Sequence, residues 1–235
     1  MNPIIIALDV DSASEARRIV DTIGGATTFY KVGMELYAAA GMEFVQEIKH
    51  GGNRVFLDMK FYDIGETVKR AVGQVAKASV DLLTVHGSRE IMRAAVDGRA
   101  AHPLKLLGVT VLTSFDQSDL ADLGYPCTVE DLVALRVKNA KETGMDGVVC
   151  SPLELTNVRA IAGADLLTVV PGVRSACAST GDQKRVATPA DAIRDGASYL
   201  VIGRQVTRAQ DPKAAVQSIL AELEVRVTRN ISQPS

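Results

Sequence analysis

The chain has 235 residues, 47% of them hydrophobic, and a formal net charge of -2. That length can bury a sizeable core as one large α/β domain or two small ones, and the near-neutral balance offers no basic surface for nucleic acid or an anionic membrane. A small-molecule ligand is the expected partner. Cys127, Cys150 and Cys177 are odd in number and widely spaced, which suits neither a disulfide framework nor a zinc site, so they read as reduced thiols of a cytoplasmic protein.

Pro3 to Leu8 is an apolar run far shorter than a membrane span and without the basic flank of a secretory signal, so it reads as a buried first strand. From there short β-rich runs alternate with longer amphipathic stretches. The predicted strands are Ile4–Asp9, Thr28–Gly33, Arg54–Lys60, Leu82–Gly87, Leu106–Leu112, Gly147–Ser151, Leu166–Gly172 and Tyr199–Arg204. Between them fall helical patterns such as Ser14–Ile23, Glu66–Ala78, Arg89–Ala100, Glu130–Glu142 and Pro189–Asp195. Eight such units imply parallel strands with helical crossovers, hence a single-domain (β/α)8 TIM barrel over residues 1–225.

The structural rival, an open doubly wound sheet, commonly carries a Gly-rich fingerprint after its first strand. Here Asp9 is followed by Val10, Asp11 and Ser12, and neither G-x-G-x-x-G nor a Walker sequence occurs. No linker or low-complexity segment divides the chain. From about Val225 the helical pattern fades, and residues 226–235 are expected to form a frayed tail. Two connections, Thr113–Thr128 and Val173–Thr188, exceed the usual length of a βα loop. The first carries Asp116, Asp119, Asp122 and Pro126; the second carries Arg174, Gly181, Gln183, Lys184 and Arg185. Both follow strands and are candidate lids over a barrel mouth.

The stretch Arg54–Thr67 concentrates the chemistry. A strand there sends Val55, Leu57 and Met59 to one face and Phe56, Asp58 and Lys60 to the other, so a carboxylate and an ammonium share a face. Asp63 follows at a turn before the next helical pattern. A single Asp or Lys at such a place is more often part of a solvated ion-pair cluster capping the strand. Crowding of all three is costly unless the groups pair, and it favours a functional reading.

If the barrel strands end where they are predicted, the polar residues closing them converge on one face. They are Asp9, Lys31, Asp58 with Lys60, His86, Thr113 with Ser114, Arg174, and Gly203 with Arg204. The last pair has the form of a barrel phosphate site. Gly203 would let backbone N–H groups approach an anion, a short helix could follow, and Arg204 supplies a bidentate charge. A Gly-Arg pair alone is more often a turn with a solvated charge; its place on the final strand is what favours an anion. A lone His at a strand end, such as His86, is more often a hydrogen-bonded wall residue than an acid–base group. His50 and His102 lie at helix ends and read as surface residues, and no pair has metal-ligand spacing, so no metal is expected.

The segment Leu57-Asp58-Met59-Lys60-Phe61-Tyr62-Asp63-Ile64 resembles the D-x-K-x-x-D signature of orotidine 5′-monophosphate decarboxylases. Ala7-Leu8-Asp9, Tyr30-Lys31-Val32-Gly33, Thr84-Val85-His86, Val111-Leu112-Thr113-Ser114, Pro171-Gly172-Val173-Arg174 and Ile202-Gly203-Arg204 are similar, in the same order, to the family's other strand-end motifs. The resemblance covers nearly the whole chain apart from the tail. It implies that Lys31, Asp58, Lys60 and Asp63 form an alternating charged array, with Asp63 and Thr67 reaching the neighbouring site of a homodimer. It implies further that Asp9 and Lys31 hold the ribose hydroxyls, Ser114 and Gln183 the pyrimidine, and Gly203, Arg204 and Gln183 the phosphate region. Arg174 aligns with a further substrate-binding arginine, and Thr113 belongs to the same substrate-binding set.

The implied reaction is decarboxylation of orotidine 5′-monophosphate to uridine 5′-monophosphate, the last step of de novo pyrimidine synthesis, with neither metal nor cofactor. Lys60 would stabilise and then protonate the C6 carbanion, and Asp58 would sit beside the departing carboxylate. The nearest alternative is a Mg²⁺-dependent sugar-phosphate decarboxylase or synthase of the same superfamily. Those enzymes tend to carry an acidic metal ligand at the end of the second strand, where this chain has Lys31. A non-catalytic barrel that only binds a phosphorylated metabolite would need Gly203 and Arg204 but has no use for Lys60 between two carboxylates.

Overall fold

The computed structural model describes residues 2–175 and 187–231, with side chains described as far as residue 224. Its strands are β1 (Ile4–Ala7), β2 (Phe29–Gly33), β3 (Arg54–Phe61), β4 (Leu82–His86), β5 (Lys105–Val109), β6 (Gly147–Val149), β7 (Leu167–Val170) and β8 (Tyr199–Ile202). The helices, in chain order, are α1 (Ala13–Ile23), α2 (Met34–His50), α3 (Gly65–Lys77), α4 (Arg89–Arg99) and α5 (Gln117–Asp122), then α6 (Val129–Thr143), α7 (Leu155–Ala162), α8 (Pro189–Arg194), α9 (Arg204–Thr207) and α10 (Pro212–Ile231). Neighbouring strands pair in sequence order, and Ile4, Ile5 and Ile6 of β1 lie parallel to Leu200, Val201 and Ile202 of β8, closing the sheet. This is the predicted (β/α)8 barrel.

Strand alternation divides the apolar residues between two cores. Ile5, Ala7, Phe29, Phe56, Leu82, Leu107, Val169, Tyr199 and Val201 cluster inside the barrel. Their neighbours Ile4, Ile6, Tyr30, Val55, Leu57, Leu83, Val170 and Leu200 pack with the helices. The amino end of the barrel is plugged: the Phe29 and Tyr199 rings meet edge-on at 5.5 Å, and the Arg54 guanidinium lies 3.9 Å from the Phe29 ring centre. Two residues further along the inward parity stand Lys31 after Phe29, Asp58 after Phe56 and Thr84 after Leu82. The interior therefore turns from apolar to polar toward the carboxyl ends of the strands.

The connection Thr113–Thr128 is not an open loop, because it contains α5. The Asp116 carboxylate accepts from the Ser118 and Asp119 N–H groups, and Asp119 Oδ2 accepts from the Asp116 N–H at 2.8 Å. These acids cap a helix whose Leu120 is buried, rather than fronting the mouth. The ends of the second connection meet: Val173 pairs with Ala187, and the Arg174 N–H donates to the Ala187 carbonyl at 3.0 Å. Gln183, with Cys177, Gly181, Lys184 and Arg185, lies outside the described residues. Cys127 and Cys150 are not in disulfides. The backbone of α10 stays helical to Ile231, past the point where the sequence pattern fades. Among the described residues no helix is long and apolar enough to cross a membrane.

Candidate active site

The strand that carries Asp58 and Lys60 is irregular where they sit. Phe56 and Leu57 pair with Leu82 and Leu83, but the next pair is Phe61 with Val85, so β3 holds extra residues between Leu57 and Phe61. Lys60 absorbs this bulge with φ +49°, the left-handed region that a side-chain-bearing residue seldom occupies. Plain alternation, which predicted Asp58 and Lys60 on one face, fails at this point. The two side chains nonetheless meet: Lys60 Nζ donates to Asp58 Oδ1 and Oδ2, both at 2.9 Å. The bulge, rather than the strand pleat, turns the amine back onto the carboxylate.

A second lysine reaches the same acid. Lys31 Nζ donates to Asp9 Oδ1 at 2.7 Å and lies 3.7 Å from Asp58 Oδ2. The order across three strands is Asp9, Lys31, Asp58, Lys60, an alternating row. Gly33 leaves room for it, since a Cβ there would stand 3.1 Å from Lys31 Nζ and 3.2 Å from Asp9 Oδ1. Burial opposes ionisation of Asp58, but the charges of Lys31 and Lys60, with hydrogen bonds from Lys60 and Thr84, outweigh it and hold its pKa below the usual carboxylate range.

This row forms one wall of a cavity of about 470 Å³ lined by Asp9, Lys31, Asp58, Lys60, Thr113, Ser114, Arg174, Gly203, Arg204 and Arg208, with Phe56, Val109 and Val201 as its apolar floor. Its size suits a nucleotide-sized ligand. Besides the alternating row, three arginines line it. Arg174 Nη1 donates to the Val173 carbonyl at 2.7 Å. Beside it the base of the 173–187 connection is clasped to α9: the Ser175 N–H donates to Gln205 Oε1 at 3.2 Å, and Gln205 Nε2 donates to Ser175 Oγ at 2.8 Å.

Two predicted site residues do not join the cavity of their own chain. Asp63 is exposed, with Oδ1 accepting from the Ile64 N–H at 2.6 Å, and among the described residues it makes no ion pair. Thr67 is exposed on the first turns of α3. His86 is a wall residue. Its Nδ1 accepts from the Ser88 N–H at 3.3 Å, its Nε2 lies 3.3 Å from Arg136 Nη2, and its ring stacks on Tyr62 with centres 4.1 Å apart. Burial and the Arg136 charge push its pKa down to about 4, which keeps it neutral near pH 7. Among the described residues no group of three His, Cys, Asp or Glu side chains converges as metal ligands.

Two residues of the site went unassigned in the sequence reading. Thr84 is fully buried and bonded to both halves of the β3 pair; the cue was its inward parity two residues after Leu82. Arg208 lines the same cavity. Its cue was the four-residue spacing from Arg204, which brings it to the same side of a helical turn.

Fold and site together define a (β/α)8 barrel with an ordered row of carboxylates and ammoniums at its carboxyl rim, in a cavity that Arg174, Arg204 and Arg208 also line. Residues 2–219 match the family described as Orotidine 5'-phosphate decarboxylase / HUMPS family, and the chain belongs to that family. A protein of Methylobacterium nodulans named orotidine 5'-phosphate decarboxylase is 49% identical over 223 residues, 94% of each chain. One of the same name from Caulobacter sp. is 49% identical over 220 residues, 94% of this chain and 96% of that one. The crystal structure of orotidine 5'-phosphate decarboxylase from Lactobacillus acidophilus superposes with a TM-score of 0.83 at 36% identity, covering 95% of this chain and 99% of the other.

Proposed function

We propose that the protein decarboxylates orotidine 5′-monophosphate to uridine 5′-monophosphate and CO2, the closing step of pyrimidine nucleotide synthesis, without metal or cofactor. The observation that carries this reading is the Lys60 amine held 2.9 Å from both Asp58 oxygens on the wall of the rim cavity. Loss of CO2 breaks the C6–carboxylate bond and leaves its electron pair on C6, where no adjacent carbonyl can receive it. In this reading the Lys60 ammonium faces that pair, donates its proton to C6, and recovers one from solvent. A unit charge pair at roughly 4 Å and an effective dielectric near 20 is worth about 4 kcal/mol, or on the order of a thousandfold in rate. The interaction strengthens as negative charge develops, so it favours the transition state over the bound substrate.

In this reading Asp9 and Lys31 hold the ribose hydroxyls, Ser114 and Gln183 the pyrimidine, and Gly203, Arg204 and Gln183 the phosphate, with Thr113 and Arg174 further substrate contacts. Arg208 adds cationic charge to the cavity lining. Asp63 and Thr67 serve the neighbouring site of a homodimer. Support for that comes from their absence from their own cavity and from Tyr62 and Ile64, which flank Asp63 and are 69% and 77% exposed. The Mg²⁺-dependent sugar-phosphate reading is disfavoured by charge: the rim carboxylates Asp9 and Asp58 already face Lys31 and Lys60, whose ammoniums would repel a divalent cation.

The test is loss of orotidine 5′-monophosphate absorbance on addition of purified protein dialysed against EDTA. Turnover to uridine 5′-monophosphate without added metal is expected. Nucleotide binding without CO2 release, or activity that returns only with Mg²⁺, would overturn the proposal.

A further inference from the structure

Lys60 adopts a backbone conformation that does not hold itself, and one hydroxyl is placed to hold it. The side chain of Thr84 is fully buried, and its two hydrogen-bonding functions are spent on the two neighbours that matter. Its oxygen accepts from the Lys60 backbone N–H at 2.9 Å, and its hydrogen is directed to Asp58 Oδ1 at 2.8 Å. The β3–β4 ladder is out of register at this point, so the Lys60 N–H meets a side-chain acceptor in β4 where the bulge displaces it from the regular backbone ladder. A valine would fill the same space with neither function. Nothing about packing therefore requires a hydroxyl at position 84.

We propose that Thr84 is a positioning residue for the reaction assigned above: by bracketing the Lys60 backbone and the Asp58 carboxylate at once, it fixes the direction of the Lys60 amine. The inference rests on the proposed decarboxylation. It adds to it the group that converts a bulged strand into a fixed donor. A hydroxyl can act in this way because it accepts along a lone pair while donating along O–H, and each bond orients the other. Without it, the left-handed Lys60 is free to relax, and the amine samples positions away from the reacting carbon. Misplacement of that kind lowers the rate of the bound complex more than it lowers substrate affinity, which depends on contacts spread over the whole cavity.

The experiment compares kcat and KM for orotidine 5′-monophosphate in the parent protein, Thr84→Val, Thr84→Ala and Thr84→Ser, with the thermal midpoint of each. Thr84→Val and Thr84→Ala are expected to lose roughly ten- to a hundredfold in kcat with KM changed less than about threefold. Thr84→Ser, which keeps the hydroxyl, is expected to stay within about threefold of the parent in kcat. The proposal is overturned if either hydroxyl-free variant that folds keeps a kcat within about twofold of the parent, if the loss falls on KM alone, or if Thr84→Ser is as impaired as Thr84→Val. An inactive parent would sink the decarboxylase reading itself; an active parent with indifferent Thr84 variants would sink only this inference.

Discussion

Asp58 is the residue on which the electrostatics of the rim turn. With its side chain only 15% exposed, it would be driven toward protonation by burial alone, yet Lys31 and Lys60 approach it from two sides and Thr84 donates from a third. The row of Asp9, Lys31, Asp58 and Lys60 sums to no net charge, and the two ammoniums offset the desolvation of the Asp58 carboxylate between them. His86, one strand over, shows the opposite balance. It is partly buried with a guanidinium as its charged neighbour, and its pKa falls from 6.5 to about 4. Between those values the unfolded chain binds a proton that the folded chain does not, so this residue makes stability fall as pH drops from about 6.5 to about 4. The urea midpoint is expected to decline across that window in the parent and to decline less in His86→Asn. Parallel curves for the two proteins would show that His86 does not titrate as the geometry implies.

At the scale of elements, the strand pattern was readable because a barrel sheet is covered on both faces and each strand is a short apolar run between turns. The eight predicted runs match β1 to β8 with shifts of a few residues, mostly at their carboxyl ends. There the ladder stops while the apolar composition continues, as in Val111 and Leu112 beyond β5. The polar residues at those ends, from Asp9 to Arg204, could likewise be found from parity and strand order. Three features could not. The bulge in β3 leaves no mark in the residue types, since Lys60 is not a glycine although its φ is +49°. The acids Asp116 and Asp119 looked like loop charges because a helix as short as α5 has too few residues to show a period. The bonding of Thr84 is the third: parity points its side chain inward, but only the register shift shows that its hydroxyl has two partners.

At the scale of the whole molecule, the barrel gathers residues from seven of its strand ends and their loops into one cavity and leaves Asp63 outside it. In the proposed homodimer that carboxylate completes the row of the neighbouring protomer. Chains carrying Lys60→Ala and chains carrying Asp63→Ala should then each be nearly inactive alone. Dissociated and reassembled together, they should recover about a quarter of parental activity, since half of the dimers are hybrids with one intact site of two. Recovery no greater than the sum of the two variants would place Asp63 outside the working site.

In the proposed reaction the Lys60 amine meets the carbon from which CO2 departs. That contact is tested most directly by measuring kcat for orotidine 5′-monophosphate and the Kd for uridine 5′-monophosphate in Lys60→Ala. The expected result is a kcat lower by at least about a thousandfold with a Kd within roughly tenfold of the parent. A kcat within about tenfold of the parent would contradict the account.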